Sequence, residues 1–418
     1  MRKVLFYNQN QTPKRLAKEN RNKSAKEVVL PHSQAKLELF QTYLKHYYRI
    51  LSLSSVISAI NLYDIFCGAG VYKDGKKGSP LLTLDAIKEI NEQIRIIGKP
   101  LKPTNLKLND GNLQRIKAVE ELLKNENVPN LKISYANKTA DIMLEEVIND
   151  VNSKGNNERN LAFIDPYGYS EIRKQRISEL LKNGYTEIVL FLPIMQMHRF
   201  SKIALNDELE RKCFENLKRF INEFFPGDHR IFTDKLDNAI EFIYELKDAL
   251  TFDGKYYTCS YYIERGKGNY YAVFFITSNI LGLEKMIEAK QKLDPNIGKG
   301  YDKQKSAMRN SLFADQIEEE DRHKALEYLK AIILNELRKD ANGLTNCEIY
   351  YITVTNEFRP TNANSVIREL IKEQRVIPYY GSDQNHSTVA GFYIDYDHYK
   401  RQDIKVTFKS KIHGTIQH

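Results

Sequence analysis

Asn61 to Leu82 reads NLYDIFCGAGVYKDGKKGSPLL, an apolar run that ends in an acid and breaks into glycines. The run reads as a short strand closed by Asp64. Gly68 and Gly70 are read as points where the backbone passes close to a ligand, a Cβ at either being an obstruction. The spacing is D-x-F-x-G-x-G, with Phe66 between acid and glycines. Ser79 reads as an N-cap and Pro80 as the first helical position, so a helix begins beyond a second, lysine-bearing loop. A carboxylate at the strand end suits a cationic group better than a pyrophosphate, which wants bare amides and a helix dipole. Two nucleotide motifs fail here. The Walker pattern needs Gly-Lys-Ser/Thr, but Ser79 and Pro80 follow Gly78, and G-x-G-x-x-G fails because Lys73 replaces its last glycine. A tight strand-to-helix turn without a ligand is the alternative reading.

The chain has 418 residues, enough for two or three domains with sizeable cores. Hydrophobic residues make up 42% and charged residues 28%, the balance of a globular rather than a disordered chain. No apolar run approaches membrane-spanning length, and MRKVLFYNQNQTPKR lacks the apolar centre of a signal peptide, so the expectation is a cytoplasmic protein without a membrane partner. Four cysteines, Cys67, Cys213, Cys259 and Cys347, are widely spaced with no C-x-x-C pair, which argues against a zinc site or a disulfide framework; no metal is expected. A net charge of +9 suits a polyanionic partner.

Residues 1–31 read as a basic arm, its polar, lysine-rich 9–27 being either an arm or a solvated helix, followed by AKLELFQTYLKHYYRILSLSS, whose apolar residues recur at helical intervals and should pack on a sheet. Its Lys45, His46 and Arg49 read either as a solvated face or as a nucleic-acid contact. From Leu62 to about Asn279 strands and helices alternate, the pattern of a parallel sheet covered on both faces. The strands are NLYDIF, NLKLND (Asn105 to Asp110), LKISYAN, NLAFIDPYGY and TEIVLFLPIM (Thr186 to Met195). Helices are expected over Phe200 to Phe225 and Asp234 to Leu250, and YYTCSYYIERGKGNYYAVFFITSN as a closing antiparallel hairpin. Ligands of open sheets sit outside the carboxyl ends of the strands. Asp64, Asp110, Asn137 and Asp165 all fall there. Asp110 is a candidate for ribose hydroxyls; Asn137 is a candidate for an adenine edge or an ordinary turn residue.

With these residues in place the chain resembles class I S-adenosylmethionine-dependent methyltransferases, and more narrowly the three-Cys-motif partner (TcmP) family. The resemblance covers most of residues 32–290 and is carried by HSQAKLELFQTYLKHYYRIL, YDIFCGAGVYKDGKKGSPLL, FIDPYGYSEI and YYAVFFITSNILGLEKM. It implies a Rossmann-like α/β domain that holds S-adenosylmethionine with Asp64 to Gly70 and Asp110. It also implies a neighbouring protein that bears a cysteine motif. Cys67 departs from the small residue expected in such a loop.

Asp165-Pro166-Tyr167-Gly168 resembles the Asp-Pro-Pro-Tyr motif of amino methyltransferases with one proline missing. Asp165 would accept from an exocyclic NH2 and Tyr167 would cover a flipped base; a strand ending in a D-P turn is the plain alternative. Cytosine-5 chemistry is set aside because none of the four cysteines follows a proline. His198 and Arg199, after the fifth strand, read as substrate-side residues or as a helix N-terminus.

Residues 32–298 are expected as the α/β domain, 299–319 as a linker, 320–400 as a winged helix-turn-helix and 401–418 as a tail. In that last domain VIPYYGSDQNHSTVAGFYID should form the wing hairpin. Thr361, Asn362, Asn364 and Ser365 should open the recognition helix, with Arg368, Lys372 and Arg375 toward phosphates or solvent. The functional expectation is a methyltransferase acting on an amino group of a DNA or RNA base. A non-catalytic adaptor of the same fold, binding nucleic acid or a partner protein, is the alternative.

Overall fold

Strand β1 (Ala59–Asp64) is the centre from which the sheet grows in both directions. It pairs in parallel with β2 (Thr104–Asn109) and β4 (Glu158–Ile164), so that Asp64 lies level with Leu108 and Phe163. Strands β3 (Leu131–Ala136) and β5 (Thr186–Leu192) continue the parallel set outward. Beyond β5 the direction reverses. Strand β7 (Tyr270–Thr277) runs antiparallel to β5 and to β6 (Tyr257–Glu264), and a short β8 (Gly300–Asp302) lies parallel to β6 at the edge. The order is β3-β2-β1-β4-β5-β7-β6-β8. The computed structural model describes residues 31–206, 212–233, 236–264, 268–294, 298–302, 314–381 and 391–411. The expected N-terminal basic arm before residue 31, residues 265–267 of the expected closing hairpin and the middle of the expected wing hairpin lie outside them.

Both faces of this sheet are covered, which explains why its central strands read as near-continuous apolar runs. One face carries α1 (Pro31–Leu53), α2 (Ser79–Ile96), α3 (Leu113–Leu123) and α9 (Ile280–Leu293), packed on Leu62, Leu106, Phe163, Val189 and Phe275. The other carries α4 (Ala140–Ser153), α5 (Lys174–Leu181), α6 (Ile194–Leu205), α7 (Glu215–Phe224) and α8 (Ala239–Ala249), packed on Tyr63, Ala162, Leu190 and Phe274. Alternate strand residues thus serve opposite cores. Helix α1 anchors its face by stacking Phe40 on Phe163 at 4.2 Å and tilting Tyr43 against Phe275 at 4.7 Å. Burial of each such ring stabilises the fold by about 1.5–3 kcal/mol.

Several expected boundaries move for local reasons. Gly78, not Ser79, is the N-cap of α2, and no side chain caps that end. The fifth strand stops at Leu192, because Pro193 brings no amide to the ladder and α6 starts at Ile194. Met195, expected in the strand, and the QMHRF residues are therefore helical. The expected helix over 200–225 is two helices, and the one over 234–250 begins at Ala239.

The C-terminal elements are α10 (Ala314–Lys339), β9 (Leu344–Thr345), α11 (Asn346–Thr355), α12 (Pro360–Lys372), β10 (Val376–Tyr380), α13 (Tyr396–Arg401) and β11 (Val406–Ser410). Thr345 and Glu348 form a capping box that starts α11, and Pro360 opens α12. The partner of β10 is not the expected GFYID segment: β10 pairs antiparallel with β11, which in turn pairs with β9. Residues expected as a tail thus supply the middle strand of a three-stranded sheet.

This C-terminal group is tied to the α/β body by buried charge. Glu357, just after α11, accepts from Lys290 of α9 and from Lys247 of α8 at 2.9 Å. Lys290 is only 2% exposed. Burial would push the Glu357 carboxyl up, but the two ammonium groups outweigh it and hold the carboxyl below its ordinary range. Beside them the Tyr350 hydroxyl donates to Glu284 at 2.7 Å. Among the described residues no helix is long and apolar enough to cross a membrane.

Candidate functional site

The carboxyl ends of β1, β2 and β4 bring Asp64, Asp110 and Asp165 to one edge of the sheet, as their strand-end positions in the sequence predict. Asp64 is 3% exposed, and among the described residues neither of its oxygens completes a hydrogen bond of ordinary geometry. Burial pushes its carboxyl up to about 7, with Asp165 adding to the rise; the Ser79 hydroxyl, Phe66 amide and Lys36 ammonium pull it only partway back. A buried acid without a partner costs free energy unless it is neutral or meets a cation. A ligand amine would answer that need.

Asp110, 1% exposed, is arranged differently. One oxygen accepts from the Asn112 amide at 2.8 Å, and the other accepts from the Gly68 amide at 3.2 Å and the Tyr167 hydroxyl at 3.4 Å. The Arg115 guanidinium stands 3.5 Å from that second oxygen and 5.1 Å from the centre of the Tyr167 ring. Asn137 donates to the Asp110 carbonyl at 2.8 Å, so its amide braces the loop after β2.

The glycine loop corrects one expectation. Gly68 and Gly70 have φ of +66° and +78°, the left-handed region that glycine enters without strain. A Cβ on Gly68 would meet nothing within 4 Å, whereas one on Gly70 would press on Val119 and Leu122 at 3.2 Å. The requirement at Gly68 is therefore conformational, and the space above it is open. The close backbone approach is between Gly70 and Gly78, where the Gly78 amide donates to the Gly70 carbonyl at 2.6 Å. Between them Val71 bridges Lys77, and the lysine-bearing loop folds back as a small hairpin. Its Tyr72 is raised to about 12 by burial and by the charges of Asp165 and Asp64. Cys67 is buried, and burial followed by Asp64 and Asp110 keeps its thiol protonated.

At the end of β4, Asp165 is not free: the Lys36 ammonium of α1 donates to it. Lys36 is 5% exposed and sits 4.4 Å from the centre of the Phe191 ring. Pro166 is buried beneath the turn, while Tyr167 is 69% exposed and meets Phe66 edge-on at 6.4 Å. Lys36, Arg115 and Tyr72 were not singled out in the sequence. The signal for Lys36 was present: it lies four and seven residues before Phe40 and Tyr43, on the apolar stripe of α1.

His198 lies on α6, where its Nε2 meets the Leu236 carbonyl at 2.9 Å and its ring faces Phe242. That places it half-buried against α8 and the segment just before it rather than among the strand-end acids. Arg199 is exposed beside it. In the C-terminal group, Thr361, Ser365, Arg368 and Lys372 are exposed on α12. Asn362 is spent on the Arg359 amide, and Asn364 bonds both the Pro360 carbonyl and the Phe392 amide. Among the described residues no cluster of His, Cys, Asp and Glu is set to hold a metal ion.

No protein-family model and no curated protein matches the chain. Among solved structures it is similar to the CMeT domain of the citrinin polyketide synthase, with 13% identity over 54% of this chain and 48% of that one, at a TM-score of 0.26. It is also similar to the plantazolicin methyltransferase BamL, solved with a desmethyl analogue and SAH, with 12% identity over 64% of this chain and 91% of that one, at 0.28. Loganic acid methyltransferase with SAH is a third, with 8% identity over 73% and 92% of the two chains, at 0.28. The chain thus spans about half the length of the first. Likenesses this distant carry nothing about what this chain binds.

Proposed function

We propose that the chain binds S-adenosylmethionine at the ends of β1 and β2 and methylates an amino group, most simply one on a nucleic-acid base. The observation that carries this reading is Asp64, a buried acid at the mouth of a glycine loop whose oxygens complete no hydrogen bond of ordinary geometry. The residues fit the cofactor: Asp64 would hold its amino group, Asp110 its ribose hydroxyls, and the open space above Gly68 would admit its body. When bound, that group supplies an electrophilic methyl. The chain's own part is to orient the acceptor. Asp165 would accept from the target N–H, and the exposed Tyr167 ring would stack on its base.

The C-terminal order of helices and antiparallel strands supports a winged helix-turn-helix, with α12 as its recognition helix. Thr361, Arg368 and Lys372 remain available to a nucleic acid, whereas Asn362 and Asn364 serve the fold. A neighbouring protein with a cysteine motif is the other partner this reading admits. One observation favours the adaptor reading: Lys36 already satisfies Asp165, so an acceptor amine must displace or share that ammonium. Titration calorimetry with SAH tests the cofactor step, with micromolar binding expected and lost in Asp64→Asn. Single-turnover transfer from labelled cofactor to total nucleic acid then separates enzyme from adaptor. No heat with SAH would sink both cofactor readings.

A further inference from the structure

At the opposite edge of the sheet from the strand-end acids, a crevice of about 450 Å³ opens between the α/β body and α13. Five separate stretches line it: Arg159 at the start of β4; Gly184, Tyr185 and Glu187 before and in β5; Tyr257; Thr277 to Ile280; and Tyr396, Tyr399, Lys400 and Gln402 of α13 and its end. Its volume is in the range of small-molecule sites, which commonly form between domains.

Its chemistry is one-sided. Four half-buried tyrosines, Tyr185, Tyr257, Tyr396 and Tyr399, give it ring surface. Two cations accompany them: the Arg159 guanidinium lies 4.7 Å from the Tyr185 ring centre, and the exposed Lys400 ammonium 6.0 Å from that of Tyr396. Helix α9 begins at this wall, so its amide end adds positive potential. The one acid of the lining, Glu187, is turned to the core, where Tyr43 and Thr277 donate to its oxygens. An anion would therefore meet two cations and a helix start, and a planar ring would meet tyrosines.

We propose that this crevice is a second binding site, separate from the strand-end acids, for a phosphorylated nucleoside, either free or as one unit of a single strand. A neutral sugar would leave Lys400 unused and Arg159 with only its bonds to the Asn156 and Glu158 carbonyls, and an acidic peptide would leave the rings unused. The site stands independently of the methyltransferase reading, since it shares no residue with the strand-end site.

The test is calorimetry at low salt on the full chain with thymidine 5′-monophosphate, whose pyrimidine avoids confusion with an adenosyl site. Binding is expected, weaker by about tenfold for thymidine without its phosphate. Lys400→Glu should weaken it by at least about tenfold and Lys400→Arg should restore it, with SAH behaviour unchanged in both. An oligothymidylate that binds more tightly than the monomer, and loses that affinity in Lys400→Glu, identifies the strand as the source; equal affinities identify the free nucleotide. No binding by either probe, competition of the monophosphate with SAH, equal binding of phosphotyrosine, or insensitivity to Lys400→Glu would overturn the proposal.

Discussion

Replacing Asp64 by Asn removes the charge that burial disfavours while keeping the shape of the side chain. The carboxyl ionises near 3.8 in an unfolded chain and at about 7 in the folded one. Between those values the folded protein holds the extra proton, so stability falls as pH rises from about 4 to about 7 and levels off above. The gap of about three units corresponds to roughly 4 kcal/mol at most. Asp64→Asn lacks this penalty. Its stability should therefore match the parent at about pH 4 and exceed it increasingly toward about pH 8, by up to roughly 4 kcal/mol. Lys36, Asp165, Cys67 and Tyr72 face the same space and are common to both proteins, so the difference isolates Asp64. Urea unfolding across that pH range measures it. A gap between the two proteins that stays constant from about pH 5 to about pH 8 would refute the reasoning. The same group links to the cofactor: at about pH 6, binding of an amine by Asp64 should release close to one proton, read as a buffer-dependent heat that Asp64→Asn lacks.

Lys36→Met should cost about 3 kcal/mol, because the part-buried Asp165 would lose its counter-ion; the urea midpoint decides. Glu357→Gln should cost about 3–5 kcal/mol by leaving Lys290 buried without a negative charge, and hydrogen exchange in α9 and α11 should quicken together. Removing the exposed Arg368 and Lys372 should leave thermal unfolding unchanged while flattening the salt slope of nucleic-acid binding by about one unit for each charge.

Much of the α/β body is legible because buried parallel strands announce themselves as apolar runs, and three of them are closed by an acid at the same end of the sheet. NLYDIF, NLKLND and NLAFID gave Asp64, Asp110 and Asp165 in this way. What escaped depends on distant pairing. Lys36 lies 129 residues from Asp165, and a lysine on an amphipathic helix reads as solvated unless its place on the apolar stripe is weighed. Asn364 reads as a base-contacting residue because its partner, the Phe392 amide, is 28 residues away. The middle strand β11 was hidden for the same reason: nothing local to VTFKS says that it inserts between β9 and VIPYY. Pro193 is a different case, a local stop that was read through because the apolar run continued past it.

The buried lysine beneath Glu357 has a consequence for dissecting the chain. An N-terminal fragment ending at β8 would leave Lys290 and Lys247 without their counter-charge, and the C-terminal fragment would leave Glu357 without its two ammonium partners. Each piece should then be less stable than the same segment in the intact molecule. Expressed together, the two should find each other and reassemble, since each supplies the charge that the other cannot bury alone.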